Sequence, residues 1–482
     1  MKKTRYTVIT GTGSCIPPIV MKNEEFLFIP GSKTEKRKFY RPDGQRVQYS
    51  DAARKGQIKP TSDIVETLEK ITGIRERRWA PLDSVASDLC TRAAANALAS
   101  SGTDPESIDL VIVAHNFGDR RGKGAILDIV PSMASRLKNR LKITGPKPIA
   151  FDVIVSPEHL GVLKEFRFGR NSGEQTFLVG EGLKARSRDI DALVQEVQQG
   201  RESRSLEAGR ASQIVVSHLD QGGSGVECIA GKVKRNLAIN AGAIAYDLVF
   251  GCPGWIQAMV DADRYLSAGL FKKALIIGGE TCARFAEDTD MDCMIFADGA
   301  GAVICEAIDS EEPTGILSYA TRSDAEKLDL LALGPPYCPE YNGDAVFIDM
   351  KGHDVFKYGV RYVAATVQES LDRAGIDKKQ VHKFLLHQAN EKMDVAIFNR
   401  LNGNDNDDRT SKMPMTISWL GNSSVATIPT MLDLILREDS RLEGHQIHPG
   451  DNLVFASVGA GMNINSLVYK MNDLHHISDK ST

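Results

Sequence analysis

The 482-residue sequence has no long hydrophobic run. Its opening residues, Met1-Lys2-Lys3-Thr4-Arg5-Tyr6, pass straight into a short β-type run, so neither a secretory leader nor a membrane-spanning helix is expected. A strong charge of either sign is also missing. The formal net charge is −4, which gives no electrostatic ground for binding nucleic acid. The eight cysteines form no Cys-x-x-Cys pair and no metal-type spacing. No metal site and no cofactor is therefore expected, and scattered single thiols in a chain of this size point to a reducing, cytoplasmic setting. What is present is ordinary for a globular protein: 42% hydrophobic and 25% charged residues. The length argues for two or three domains.

Strand-like runs alternate with helical patterns, which predicts an α/β architecture. Tyr6 to Thr10 reads as an opening strand followed by a Gly11-Thr12-Gly13 turn. Asp63 to Ile71 and Ser87 to Ala99 read as helices. Leu110 to Ala114 is a buried strand ending at His115-Asn116, and Ala274 to Gly279 and Gly301 to Cys305 are two more. Further on, Val355 to Ala374 reads as a helix. Lys383 to Leu386 is a strand ending at His387-Gln388-Ala389-Asn390, and Asn452 to Ala456 leads into Gly459-Ala460-Gly461. Two strands in different halves thus end in histidine-containing turns, which hints at two related α/β halves.

A closer echo lies inside the first half. Ile149-Ala150-Phe151-Asp152-Val153-Ile154-Val155 resembles Ile244-Ala245-Tyr246-Asp247-Leu248-Val249-Phe250. Upstream, Ala134 to Ile143 resembles Ala230 to Ile239, and Ile112-Val113-Ala114-His115 faintly matches Val215-Val216-Ser217-His218. Either a strand–helix–strand unit is duplicated in tandem, or two unrelated amphipathic helices each precede a strand.

Cys252 stands at the turn between the apolar strand 243–250 and a helical pattern in which Trp255, Met259, Ala262 and Leu266 share one face. Pro253 suits the first helical position. A thiol at a helix N-terminus meets unpaired N–H groups, which favours the thiolate of a covalent nucleophile; the alternative is a small buried core cysteine. Acyl transfer to a thiol needs a proton-handling partner and an oxyanion hole. His387, at the carboxyl end of a buried strand, suits the first role, or is a loop histidine bonded to backbone. Asn422, in Gly421-Asn422-Ser423-Ser424, offers an amide to a carbonyl, or caps the next helix. Gly459-Ala460-Gly461 offers backbone N–H groups, or is a tight turn.

Read together, these motifs resemble β-ketoacyl-acyl-carrier-protein synthase III, a condensing enzyme of the thiolase superfamily. The resemblance rests on Gly11-Thr12-Gly13-Ser14, Ile71 to Arg78, Ala86-Ser87-Asp88-Leu89, Phe250 to Gly254, Asp298 to Val303, Val355-Phe356-Lys357, His387 to Asn390 and Gly421 to Ser424. It covers roughly the first 150 residues and everything from about 240 to 470. It implies a thiolase-like α/β fold of two pseudo-duplicated halves in layered αβαβα order, and decarboxylative Claisen condensation of an acyl thioester with malonyl-acyl-carrier protein. Cys252 would take the acyl group, while His387 and Asn422 bind the malonyl thioester carbonyl and hold the enolate. The amides of Cys252 and Ala460 would form the oxyanion hole. The implied partners are an acyl-carrier protein, acyl-CoA or acyl-carrier-protein substrates, and a second copy in a homodimer with a continuous sheet. Alternatives on the same fold are a non-decarboxylating acyltransferase or a subunit of a heterodimeric synthase.

Some residues depart from that pattern. Thr67 and Ile71 stand where the family places a Trp and an Arg around the adenine of coenzyme A, which favours delivery of the primer by carrier protein. Lys357 and Lys392 match basic positions near the tunnel mouth, suited to a pantetheine phosphate or an acidic carrier protein. The polar stretch Arg37 to Lys59, together with Phe-Gly-Cys-Pro-Gly at the nucleophile, resembles a subgroup linked to aryl polyenes and dialkylresorcinols. The expected organisation is an N-terminal half over 1–310 with an insertion at about 153–238, a C-terminal half over 311–475, and a tail over 476–482. The composition of 173–212 suggests a surface excursion.

Overall fold

The structure is a computed structural model. It describes residues 3–28, 34, 36–47, 59–124, 130, 132, 135, 149–155, 176–179, 213–219, 228–403 and 406–473. Its strands are β1 (Thr4–Cys15), β2 (Ile19–Lys22), β3 (Glu76–Trp79), β4 (Leu110–Ala114), β5 (Ile149–Val155), β6 (Thr176–Val179), β7 (Gln213–Leu219), β8 (Ile244–Val249), β9 (Lys273–Thr281), β10 (Asp298–Ser310), β11 (Gly315–Ser323), β12 (Leu331–Gly334), β13 (Phe347–Met350), β14 (Val381–Leu386), β15 (Asn452–Gly459) and β16 (Asn463–Lys470). The helices used below are α1 (Thr61–Thr72), α2 (Ala86–Ser101), α3 (Ile229–Asn236), α4 (Gly254–Ser267), α5 (Gly352–Ala374), α6 (Glu391–Asn402), α7 (Asn406–Lys412), α8 (Ile417–Leu420) and α9 (Thr427–Leu436).

Two sheets organise the molecule. One runs β1-β10-β9-β4-β8-β5-β7-β6, the other β11-β16-β15-β14. Period-two alternation decides which layer each strand residue joins. Leu110, Ile112 and Ala114 pack with α4, α9 and the small sheet, whereas Val111 and Val113 pack with α2 and α3. On the far side, α5 and α6 share a core with Phe384, Leu386, Val454 and Val468 of the small sheet. The result is helix, sheet, helix, sheet, helix. The expected layered thiolase-like α/β fold is the one observed. The predicted face of α4 is real: Trp255, Met259, Ala262 and Leu266 are all 0–1% exposed, because that helix lies between the sheets.

The Gly11-Thr12-Gly13 segment is not a turn. It continues β1, which pairs with β10 through to Cys15. The glycines are there because α2 lies directly on them: a Cβ on Gly13 would stand 2.3 Å from the Ala97 amide nitrogen. On the opposite side, the buried Asp433 of α9 accepts hydrogen bonds from Thr12 Oγ1 at 2.9 Å and Ser14 Oγ at 2.6 Å. β1 is thereby clamped between two helix layers.

The stretch read as a surface excursion, 173–212, contains one strand, β6, and β7 follows it directly. β6 and β7 extend the large sheet, while residues 180–212 lie outside the described residues. Part of the polar N-terminal stretch is packed rather than solvated. Arg37 is 2% exposed, lies over the Phe26 ring, and donates through Nη1 to Cys293 Sγ at 3.4 Å.

Candidate functional site

β8 delivers Cys252. The chain leaves the sheet at Phe250, turns at Gly251 with φ +72°, and enters α4 at Gly254. Pro253 is the residue before the helix rather than its first. Opposite, β15 ends at Gly459, and the two turns touch backbone to backbone. A Cβ on Gly459 would lie 2.3 Å from the Cys252 amide nitrogen, and one on Gly251 would lie 2.7 Å from that of Ala460. Asn463 Nδ2 fastens them by donating to Ala460 O at 2.8 Å and Phe250 O at 3.2 Å. Both proposed oxyanion-hole residues therefore sit together, on turns whose flanking Gly251 and Gly459 leave no room for a side chain.

The loop between α8 and α9 links the other expected residues. Ser424 Oγ donates to Cys252 Sγ at 3.3 Å. Ser424 N donates to Asn422 Oδ1 at 2.8 Å, which commits that oxygen as acceptor and leaves the Asn422 Nδ2 as donor. Thr427 Oγ1 donates to Ser424 O at 3.1 Å and meets His387 Nδ1 at 2.7 Å. Cys252, Asn422 and His387 thus belong to one hydrogen-bonded unit centred on Ser424. That residue has φ +55°, a conformation costly for a side chain other than glycine. Asn422 does not cap α9, whose N-cap residue is Ala426 without a side-chain cap; its oxygen instead accepts within the turn, two residues on.

Electrostatics correct one expectation. Burial pushes the Cys252 thiol up to about 11, against the hydrogen bond from Ser424, which lowers it; Glu280 adds to the rise. Desolvation wins over the helix terminus, so the resting group is a thiol and not a thiolate. His387, 3% exposed, is lowered to about 3 by burial and is neutral at physiological pH. Glu280 is fully buried and raised to about 7, chiefly by desolvation.

Ser424, Thr427, Asn116 and Glu280 were not legible as site residues. Glu280 Oε2 accepts from Asn116 N at 2.8 Å and Nδ2 at 3.1 Å, and the same Nδ2 lies 3.0 Å from Ser424 Oγ. The signal available was the His115-Asn116 strand end. His115 is engaged elsewhere, through Nε2 to Asp247 at 3.0 Å, whereas Asn116 reaches Cys252 through Ser424. A small cavity of about 30 Å³ opens beside Cys252, lined in part by Phe117, Val130, Cys282, Phe296, Leu331 and Ile348.

The two lysines part company. Lys392 lines a groove of about 550 Å³ together with Lys70, Arg75 and Arg409, and with Glu69 and Glu391. Lys357 lies on α5, 4.0 Å from Asp354, and is not among the residues lining that groove. Ile71 is 42% exposed, and Thr67 Oγ1 donates to Asp63 O, so neither offers an adenine a stacking face. Among the described residues no helix is long and apolar enough to cross a membrane, and no cluster of metal-ligating side chains occurs.

Comparison with known proteins identifies the family. The sequence model of 3-oxoacyl-[acyl-carrier-protein] synthase III matches residues 246–325, and that of its C-terminal part matches 371–471. The β-ketoacyl-[acyl-carrier-protein] synthase III of Paracoccus denitrificans is 35% identical over 246 residues, 50% of this chain and 72% of that one. Its counterpart from Thioalkalivibrio sulfidiphilus is 26% identical over 466 residues, covering 95% and 96% of the two chains. The crystal structure of 3-oxoacyl-(acyl carrier protein) synthase III from Pseudomonas aeruginosa covers 97% of this chain and 99% of its own, with 22% identity and a TM-score of 0.59. This chain belongs to the β-ketoacyl-acyl-carrier-protein synthase III family.

Proposed function

We propose that the protein is an acyltransferase that condenses an acyl thioester with malonyl-acyl-carrier protein, releasing carbon dioxide. The observation that carries this reading is the hydrogen-bonded unit joining Cys252, His387 and Asn422 through Ser424 and Thr427. In the first step Cys252 Sγ attacks the primer carbonyl and the carrier thiol leaves with the displaced proton. In the second, the malonyl C–C bond to carboxylate breaks, carbon dioxide departs, and its electron pair forms an enolate. The enolate oxygen accepts from Asn422 Nδ2 and His387 Nε2. In the third, the enolate carbon attacks the acyl-cysteine, whose oxyanion meets the amides of Cys252 and Ala460; the oxyanion then collapses, the C–S bond breaks, and Cys252 leaves as a thiolate that takes a proton from solvent. Each such donor is worth roughly 3–4 kcal/mol in the transition state.

Thr427 supports both roles of His387. Its hydroxyl carries one proton. Given to Ser424 O, it leaves Nδ1 to donate and Nε2 as a base for the thiol; given to Nδ1, it makes Nε2–H a donor to the enolate. Burial keeps the ring neutral, so no imidazolium holds back the carboxylate that must leave as carbon dioxide.

The finer assignments belong to the same proposal. The primer comes on carrier protein, with Lys392 and, more weakly, Lys357 meeting its phosphate or acidic face. The product belongs to the specialised aryl polyene or dialkylresorcinol type, on the strength of Phe250 to Gly254 and the 37–59 stretch. The protein works in the cytoplasm, where its eight free cysteines stay reduced. Its halves divide at 310/311, with the insertion at about 153–238. Because β5 already pairs with β8, a homodimer would form through another face.

The test is intact-protein mass spectrometry after incubation with acyl-CoA and acyl-carrier-protein donors, followed by labelled malonyl-acyl-carrier protein. An acyl adduct that Cys252→Ala abolishes, and labelled carbon dioxide from malonyl, are expected. An adduct without carbon dioxide would convert the reading to simple acyl transfer. No adduct with any donor would sink it.

A further inference from the structure

The internal echo and the sheet register coincide. β5 pairs antiparallel with β8, with Asp152 opposite Val249, Val153 opposite Leu248 and Ile154 opposite Asp247. In the echo Val153 corresponds to Leu248, Asp152 to Asp247, and Ile154 to Val249. Equivalent residues therefore face each other around Val153 and Leu248, as across a two-fold axis. The match continues outward. β4 pairs parallel with β8, with Leu110 opposite Ile244; β7 pairs parallel with β5, with Gln213 opposite Ile149, the corresponding position. β9 flanks β4 with Ala274 opposite Leu110, and β6 flanks β7 with Thr176 opposite Gln213. The sequences agree there too: Ala274 to Gly278 reads ALIIG and Thr176 to Gly180 reads TFLVG, and Ala-Arg follows both, at 283–284 and 185–186. Three strands thus reproduce three others in order, direction, register and wording, which two unrelated insertions would not do.

Without its neighbour β5, β8 would end a five-stranded sheet with an apolar, unpaired edge, a template for β8 of a second copy in an isologous pairing. We infer that β5, β7 and β6 are an internal duplicate of β8, β4 and β9, and that the chain itself occupies the place a second copy would take at β8. The duplicate carries no nucleophile. Phe250 is followed by Gly251-Cys252-Pro253, whereas Val155 is followed by Ser156-Pro157, and no cysteine lies between Cys90 and Cys228. One chain therefore holds a reactive unit and an unreactive mimic of a partner.

Two cysteine variants test this on the full chain. Residues opposite each other in an antiparallel pair have Cα atoms about 4.5–5.5 Å apart, within disulfide reach. Val153→Cys/Leu248→Cys is expected to close a disulfide inside one chain of 52.7 kDa, and Leu248→Cys alone to give no covalent dimer. A dimer linked by a disulfide between the two copies' positions 248 in the Leu248→Cys variant, or a folded double variant that never crosslinks internally, would overturn the inference. Hydrogen exchange on the unmodified protein gives an independent reading. The amides of residues 244–249 should be equally protected across a hundredfold dilution, and protection lost on dilution would show that a second copy, not β5, covers the strand.

Discussion

At the scale of the residue, the reactive group is set by its surroundings more than by its type. Cys252 stands where a helix terminus would lower its acidity, yet burial pushes it up to about 11. The one side chain shown working against that rise is Ser424, a hydrogen-bond donor. Ser424→Ala removes the donor. Its net worth of about 1 kcal/mol predicts a roughly five-fold slower alkylation of Cys252 near pH 8 and a pH midpoint shifted upward, read by iodoacetamide rates. Glu280 gives a stability prediction. Its folded value of about 7 lies above the reference 4.5, so the folded state binds the proton more tightly. Its contribution is fully present below pH 4.5 and is lost as pH rises through about 7. Glu280→Gln keeps an acceptor for Asn116 and removes the titration. Urea unfolding should show the parent losing stability between pH 5 and 8 relative to the variant, by up to roughly 3 kcal/mol. The cysteine, histidine and asparagine were visible in the sequence because each ends a strand or opens a turn. Ser424, Thr427, Asn116 and Glu280 were not, because hydroxyl, amide and carboxylate side chains become a relay only when four separate segments converge.

At the scale of the element, boundaries followed local chemistry closely, and errors arose where tertiary contact overrode it. The strand Leu110–Ala114 is as the apolar run predicts, and α2 extends the expected helix by one residue at its start and two at its end. The glycine pair in β1 misled, since glycine in a sequence signals a turn, whereas here it makes room for α2. Gly13→Ala should show the difference. With Ala97 backbone 2.3 Å from the new methyl, strand and helix must separate, costing about 1–3 kcal/mol. A turn glycine with negative φ would tolerate alanine with little loss, so the denaturation midpoint distinguishes the two.

At the scale of the whole molecule, two sheets with helices between and around them bring Cys252, at the end of β8, to His387, at the end of β14, and to Asn422. Around this core the chain is slightly acidic overall, so the groove of Lys70, Arg75, Lys392 and Arg409 is a local reversal of sign. Lys392→Glu should raise KM for carrier-protein substrates several-fold while leaving kcat within about twofold, and added salt should narrow the gap between variant and parent. Lys357→Glu, away from that groove, should do less. The sequence by itself determined the fold family and, through that resemblance, the layered α/β order, and it pointed to Cys252, His387 and Asn422 as candidate site residues. These rest on strand-end turns and on the order of motifs along the chain. It also contained the duplication, as two similar strings of seven residues. Only the tertiary structure decided what that duplication does, because a repeat has no meaning for assembly until hydrogen-bond register shows which strand lies against which. The protonation of Cys252 was likewise decided there, since desolvation depends on what the fold packs around a thiol and not on the residues beside it in the chain.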